Sequence, residues 1–341
     1  MKKSLLSLIA IFIILAIGSY GIAKTYGTRQ TSENEHTLVS SFYPEYIITK
    51  NLITDCDSIT VKNMTSSATG CLHDYQLTSS DMKKLEHADA FIINGGRMET
   101  FLDDIKKVYP NLNIINSCEN IKLLKNIESH SHEEDNDIDH EDAKENNDIN
   151  EHEKHDEHED NDGHEHGEYN AHVWLSPNNY LIQINNISTE LCNLYPEYKK
   201  TISLNTKSYS NKIKALQKDI DTLNKKIKNK KGKNAILFHD SFAYIADAFN
   251  INIISCIEVD SDSSLSAGTI ANTIDEINLH NIKILLSEKQ FKTTIADNIA
   301  SETNAKVYVL DSLVTGDDSK DSYIKGMESN IKAIKEIFNI K

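Results

Sequence analysis

The chain has 341 residues, enough for two core-forming domains, and its 39% hydrophobic content and mean hydropathy of −0.47 are those of a soluble globular protein once its ends and one acidic stretch are set aside. Its formal charge of −16, with no basic patch or aromatic-rich basic stretch, argues against nucleic acid and leaves cations or proteins as partners.

Residues 1–24 read as a secretion signal or an uncleaved membrane anchor, because two lysines precede an apolar run of about nineteen residues from Leu5. The first cysteine is Cys56, so no lipid-modified Cys is expected at this junction. A polar tether, 25–36, follows. Cys56, Cys71, Cys118, Cys192 and Cys256 then lie on the exported side, where disulfides persist. Their odd number leaves at least one thiol without an intrachain bridge, their spacing does not give the connectivity, and no C-x-x-C pair suggests a zinc ribbon. We read them as structural.

From residue 37 short apolar runs alternate with amphipathic stretches. Strands are expected at 37–42, 59–64, 90–94 and 112–116, with helices from Pro44, over 82–88 capped by Ser80 or Asp81, and over 98–109. A loop, 65–73, follows the second strand. Residues 130–168 break the pattern: eighteen acids against two lysines carry the whole charge of −16, leaving 34 basic and 34 acidic residues elsewhere. Interleaved are His130, His132, His140, His152, His155, His158, His164 and His166. So polar a tract cannot bury enough apolar surface to order itself, and reads as a solvated loop. It is either a weak collector of metal ions or a passive spacer.

A helix is expected over 178–194. The Pro- and Gly-free run 196–231, with apolar residues at helical spacing, suggests a rigid connecting helix or, alternatively, a surface helix pair. Strands at 234–238, 251–255, 282–286 and 306–310 alternate with helices at 241–249, 268–279, 292–302 and 323–338. The expected architecture is α/β: a lobe over 37–195 containing the acidic loop and a lobe over 232–341, each a parallel sheet, joined by the helix 196–231.

Ligands of open parallel sheets bind beyond the carboxyl ends of the strands. His73 lies in the loop after the second strand, His239 directly after strand 234–238, and Asp311 directly after strand 306–310. His172 sits beside the lone Trp in HVWLSP. Two candidates thus come from each lobe, and three imidazoles with one carboxylate suit four-coordinate zinc in the interlobe cleft. His36, His87 and His280 lack such a setting and read as surface residues.

The stretches SFYPEYIITKNL, HDYQLTSSDMKKLEHADAFIINGGRMETFL, HVWLSP, FHDSFAYIADAFNI, SEKQF and VLDSL resemble the extracytoplasmic solute-binding proteins of zinc and manganese ABC importers, over almost everything after residue 37. The His-rich insertion before HVWLSP is similar to that of the zinc-uptake branch. The resemblance implies His73, His172, His239 and Asp311 as metal ligands, with zinc favoured because manganese proteins usually carry Glu at the position of His239. It implies Glu288, in SEKQF, as a residue that orients a ligand imidazole, a nearly rigid connecting helix, and delivery to a membrane permease. Leu72, Ser176 and Ser312 depart from the pattern, and Cys71, two residues from His73, opens the alternative of a thiolate ligand.

The expected function is that of a monomeric extracytoplasmic receptor that captures Zn2+ for an ABC permease, without covalent chemistry. The alternatives are a manganese-binding member of the same family and, from another class, a zinc-dependent hydrolase, which would need an open coordination position that Asp311 closes. No HExxH or G-x-S-x-G pattern supports a hydrolase. Imidazole must be neutral to bind metal, so zinc affinity in a chelator competition falls from pH 7.5 to pH 5; an unchanged value counts against a histidine site.

Overall fold

The computed structural model describes residues 35–65, 73, 75–127, 168–257 and 265–341. The N-terminal apolar segment, Cys71 and the eight histidines of the acidic tract lie outside the described residues. The chain begins β1 (His36–Ser40), α1 (Tyr43–Leu52), β2 (Ile59–Asn63), α2 (Ser79–Leu85), β3 (Ala90–Ile93), α3 (Leu102–Val108) and β4 (Asn113–Asn116). An antiparallel clip, β5 (Leu124–Lys125) with β6 (Tyr169–Asn170), brackets the acidic tract. After α4 (Pro177–Leu194) and α5 (Lys199–Ile227) come β7 (Asn234–Leu237), α6 (Ala243–Phe249), β8 (Asn252–Cys256) and α7 (Ala267–Leu279). The last elements are β9 (Ile284–Glu288), α8 (Thr294–Ser301), β10 (Lys306–Leu310) and α9 (Ser322–Ile337).

Two parallel sheets result, in the orders β2-β1-β3-β4 and β10-β9-β7-β8, so the expected α/β class holds. Strands covered on both faces must be apolar throughout. Accordingly β3, Ala-Phe-Ile-Ile, is buried at every position, and so is β9, whose last two residues are nevertheless Ser287 and Glu288. The long run after Pro196 forms a 3-10 turn and then one continuous helix, α5, of 29 residues and about 43 Å. Its buried stripe packs on α4, α1, α9 and α6. A single core joins Leu38 and Phe91 of the first sheet to Leu237 and Leu286 of the second. Among the described residues no helix is long and apolar enough to cross a membrane.

Two local expectations change. Thr78, rather than Ser80 or Asp81, caps α2, in a reciprocal box in which Asp81 N–H donates to Thr78 Oγ1 and Asp81 accepts from Thr78 N–H. Helix α3 starts at Leu102, four residues late, because the Glu99 carboxylate turns back to accept from Asn94 N–H (2.7 Å), Gly95 N–H (2.9 Å) and Ser41 Oγ (2.7 Å). Gly95 permits that turn: its φ is +84° and a Cβ would lie 2.0 Å from Asn116 Oδ1. Cys56, Cys118 and Cys256 are buried, and burial pushes the Cys56 thiol up to about 11, away from reactivity.

Glu45 lies in the interior of the first lobe, fully buried. The Gln183 amide donates at 2.9 Å to Asn94 Oδ1 and 2.8 Å to Ser117 Oγ, leaving Glu45 Oε1 at 3.3 Å as a third, weaker acceptor. Glu45 Oε2 has no hydrogen-bond partner among the described groups. Burial, followed by the nearby Glu99 charge, pushes the Glu45 carboxyl well above the usual carboxylate range. The folded protein therefore keeps a proton that the unfolded chain releases near its ordinary pKa of about 4.3, and stability falls as pH rises toward the folded-state value. Glu45→Gln should raise the Tm by roughly 2–6 °C at pH 8, the gap closing toward pH 4; a variant that melts no higher than the parent at pH 8 would refute a neutral Glu45.

Candidate metal centre

Each candidate side chain is placed by a strand end or a tight turn. His239 stands two residues beyond β7 in extended conformation, φ −170°, and leads into the 3-10 turn Asp240–Phe242. Asp311 follows β10 directly, and its peptide is clamped by Asn330, which accepts from Asp311 N–H and donates Nδ2–H to its carbonyl, both at 2.8 Å. His172 follows the β5–β6 clip and donates its backbone N–H to Asn170 Oδ1 at 3.0 Å. His73, half-buried, accepts through its carbonyl from Thr100 Oγ1 at 3.3 Å.

The three imidazoles converge although they are far apart in sequence. Ring centroids are 5.3 Å apart for His73 and His172, and 5.4 Å for His172 and His239, with interplanar angles of 72° and 80°. His172 and His239 are buried, and the Trp174 ring, 5.2 Å from His172, and the Phe291 ring, 5.5 Å from His239, wall the cluster with apolar surface. Such walls exclude water and strengthen electrostatic contacts inside.

The orientation of two rings is set by what their Nδ1 atoms meet. Glu288 Oε2 lies 3.0 Å from His239 Nδ1, and the same carboxylate accepts from Ser241 Oγ (3.2 Å) and Ser312 Oγ. Ser241 N–H also approaches His239 Nδ1, at 3.3 Å; the shorter, charge-assisted contact with Glu288 fixes the proton on Nδ1. His172 Nδ1 lies 3.2 Å from Asn170 Oδ1 and 3.5 Å from Asp240 Oδ1. With Nδ1 protonated, each ring carries its lone pair on Nε2, the arrangement a metal-ligating histidine needs.

Asn170 and Asp240 were not legible as site residues. Asn170 Nδ2 donates to the Asp240 carbonyl (3.0 Å) and carboxylate (3.2 Å), which ties the first lobe's clip to the second lobe's turn. Ligand atoms of His172, His239 and Asp240 all lie within 4.8 Å of one another. Asp240 Oδ1 sits on the Nδ1 side of both rings, 3.5 and 3.8 Å away, so it supports the imidazoles from behind. The available signal was adjacency, an acid directly after one candidate histidine and an amide two residues before another. Asp311 is held differently: Oδ2 meets Lys289 Nζ at 2.9 Å, and Oδ1 accepts from Gln290 Nε2 and Leu313 N–H, each at 2.9 Å. His36 pairs with Asp89 at 3.2 Å, and His87 and His280 are exposed.

Several of the proteins to which the chain is similar are named for zinc. The chain is 28% identical to the zinc-binding protein AdcA of Streptococcus pyogenes serotype M3 over 98% of its own length, and spans 61% of that longer protein. It is 27% identical to the high-affinity zinc uptake system protein ZnuA of Bacillus subtilis, over 96% of this chain and 95% of that one. The crystal structure of the Zn(II)-bound ZnuA-like domain of Streptococcus pneumoniae AdcA matches with a TM-score of 0.67 and 22% identity, over 89% of this chain and 99% of that domain, a likeness of fold. The sequence model of the family described as zinc-uptake complex component A, periplasmic, matches residues 38–337, and the chain belongs to that family of extracytoplasmic solute-binding proteins, which is not a family of enzymes.

Proposed function

We propose that the protein captures Zn2+ in the cleft between its lobes, outside the cytoplasm, and hands it as a monomer to a membrane ABC permease. The observation that carries this reading is the convergence of His73, His172 and His239, with Nδ1 of two rings held by Asn170 and by Glu288. Three imidazoles favour zinc over manganese, which prefers carboxylate oxygen. Asp311 is the fourth ligand and closes the coordination sphere, so the site offers substrate no open position. An arriving cation displaces the Lys289 ammonium, whose side chain is 67% exposed and returns readily to water. Nothing covalent happens; capture and release are exchanges of ligands. The lobes 37–195 and 232–341 move little about the helix 196–231 as this occurs. The tract 130–168 collects ions weakly and feeds them to the cleft, and residues 1–24 either direct export or hold the protein at the outer face of the membrane.

Deleting residues 130–168 should leave one tightly bound zinc per chain, strongly preferred to manganese in competition titrations; loss of tight binding would mean that the tract supplies ligands. Asp240→Asn and Glu288→Gln, which keep side-chain size, should each lower zinc affinity roughly 10–100-fold with the stoichiometry still one. An unaltered affinity in both would remove these carboxylates from the site.

A further inference from the structure

The sequence shows no compact basic patch, because its lysines are spread through an amphipathic run; folding gathers them. Residues 199–231 contain eleven lysines and two acids, Asp219 and Asp221. At about 100° per residue, the buried Ile202, Ile213, Ile220 and Ile227 form one stripe of α5 and Lys200, Lys207, Lys214, Lys218 and Lys225 form another. These five point away from the body of the protein, lie within about 40° of one another around the axis, and extend about 37 Å along it. All five are exposed, and among the described residues the ion pair of this helix is made by a different lysine, Lys212, with Asp321.

The line lies on the face opposite the metal candidates. The turn into α5 and the two ends of the helix touch the amino-terminal edges of both sheets: Tyr198 OH bonds Ser58 Oγ (2.8 Å) just before β2, and Asn205 Nδ2 donates to Thr54 O (2.7 Å). At the far end Asn250 Nδ2 donates to Asn224 Oδ1 (3.3 Å) just before β8. The candidate ligands follow the carboxyl ends of the strands. The acidic tract, which carries all the net charge, joins the fold at the β5–β6 clip, whose Asn170 bonds Asp240 beside those ligands. Among the described residues, the edge along α5 is therefore a line of positive charge on the side away from the candidate ligands. The point where the N-terminal tether reaches the fold adjoins the start of the line: the His36 ring lies 4.7 Å from Tyr195, in the turn that leads into α5. A dozen tether residues span at most about 40 Å, so a bilayer holding the apolar segment is within reach of α5.

We propose that this lysine line docks on an anionic phospholipid bilayer. Amines spaced along a straight, solvated edge match a plane of phosphate headgroups, and an acidic tract is repelled by the same surface. Docking turns the cleft away from the bilayer for capture and is released before the ion is handed to the permease; its range is set by a Debye length of about 8 Å at physiological salt.

The test uses the full chain reconstituted through its N-terminal segment into vesicles of phosphatidylcholine, with or without phosphatidylglycerol, association being verified by flotation. Brief amine acetylation, read at each lysine by mass spectrometry, should label the five lysines at least about threefold more slowly on phosphatidylglycerol vesicles at low salt. The protection should vanish at high salt, with the exposed Lys122 and Lys289, which follow the carboxyl ends of β4 and β9, unaffected throughout. Equal labelling on both vesicles at low salt overturns the proposal. So does equal protection on both that disappears on deletion of residues 130–168, which would assign the line to the acidic tract.

Discussion

Trp174 ties the two lobes together at the depth of the cleft, and the geometry of the centre depends on it. Its indole N–H donates to the Ser312 carbonyl at 2.7 Å, while its own carbonyl accepts from the Tyr323 hydroxyl at 2.7 Å. A residue two positions after His172 is thereby bonded to the residue after Asp311. Trp174 is fully buried, and an indole N–H stripped of its acceptor there would cost about 1–3 kcal/mol. The bond continues outward: Tyr323 stacks on Tyr180 with centroids 3.7 Å apart, and Tyr180 reaches Tyr209 of α5 at 3.1 Å. The cleft floor and the connecting helix are thus joined by a short chain of aromatic contacts. Large opening of the lobes would break the two Trp174 bonds and the Tyr180–Tyr323 stack together, which is the physical basis for expecting small motions.

Buried carboxylates are handled in two ways here, and the difference separates structure from site. Glu288, at the end of a fully buried strand, is surrounded by donors: His239 Nδ1 and the hydroxyls of Ser241 and Ser312. Such a setting holds the carboxylate in place behind the imidazole that it orients. Glu45 has a 3.3 Å contact from Gln183 and its own backbone N–H to set against complete burial, and burial pushes its carboxyl well above the usual range. A charge near a bound cation is useful, whereas the same charge inside the first lobe would have nothing to balance it.

The alternation of apolar runs and amphipathic stretches made the two parallel sheets legible, because continuous runs such as Ala90–Ile93 have few other ways to be buried. The rule that ligands gather beyond strand ends then singled out His239 and Asp311 from position alone. The β5–β6 clip was not legible: its strands are two residues each and are separated in sequence by the acidic tract. Asn170 and Asp240 escaped for a related reason, since they meet across 70 residues and neither belongs to a periodic pattern. The late start of α3 was hidden as well. Its helical spacing begins at Met98, but the Glu99 carboxylate finds better donors in the Asn94–Gly95 turn than in a helix. Periodicity reports which face is buried, and says nothing of a side chain that bonds back to the main chain.

The candidate ligands also differ in how firmly they are held, and that difference gives the centre a direction for exchange. His172 and His239 are buried, and their Nδ1 atoms are engaged by groups that are themselves buried and bonded on. Reorienting either ring would break these contacts. Asp311 has its peptide clamped by Asn330, yet its carboxylate is shared with a lysine that is two-thirds exposed. Exchanging that ammonium for a cation loses little, because the ammonium regains full hydration while the carboxylate keeps a positive partner. In the proposed site, coordination therefore closes last and opens first at Asp311. An ion leaving the cleft would pass from four ligands to three by the return of Lys289, with the imidazole cluster intact until the final step.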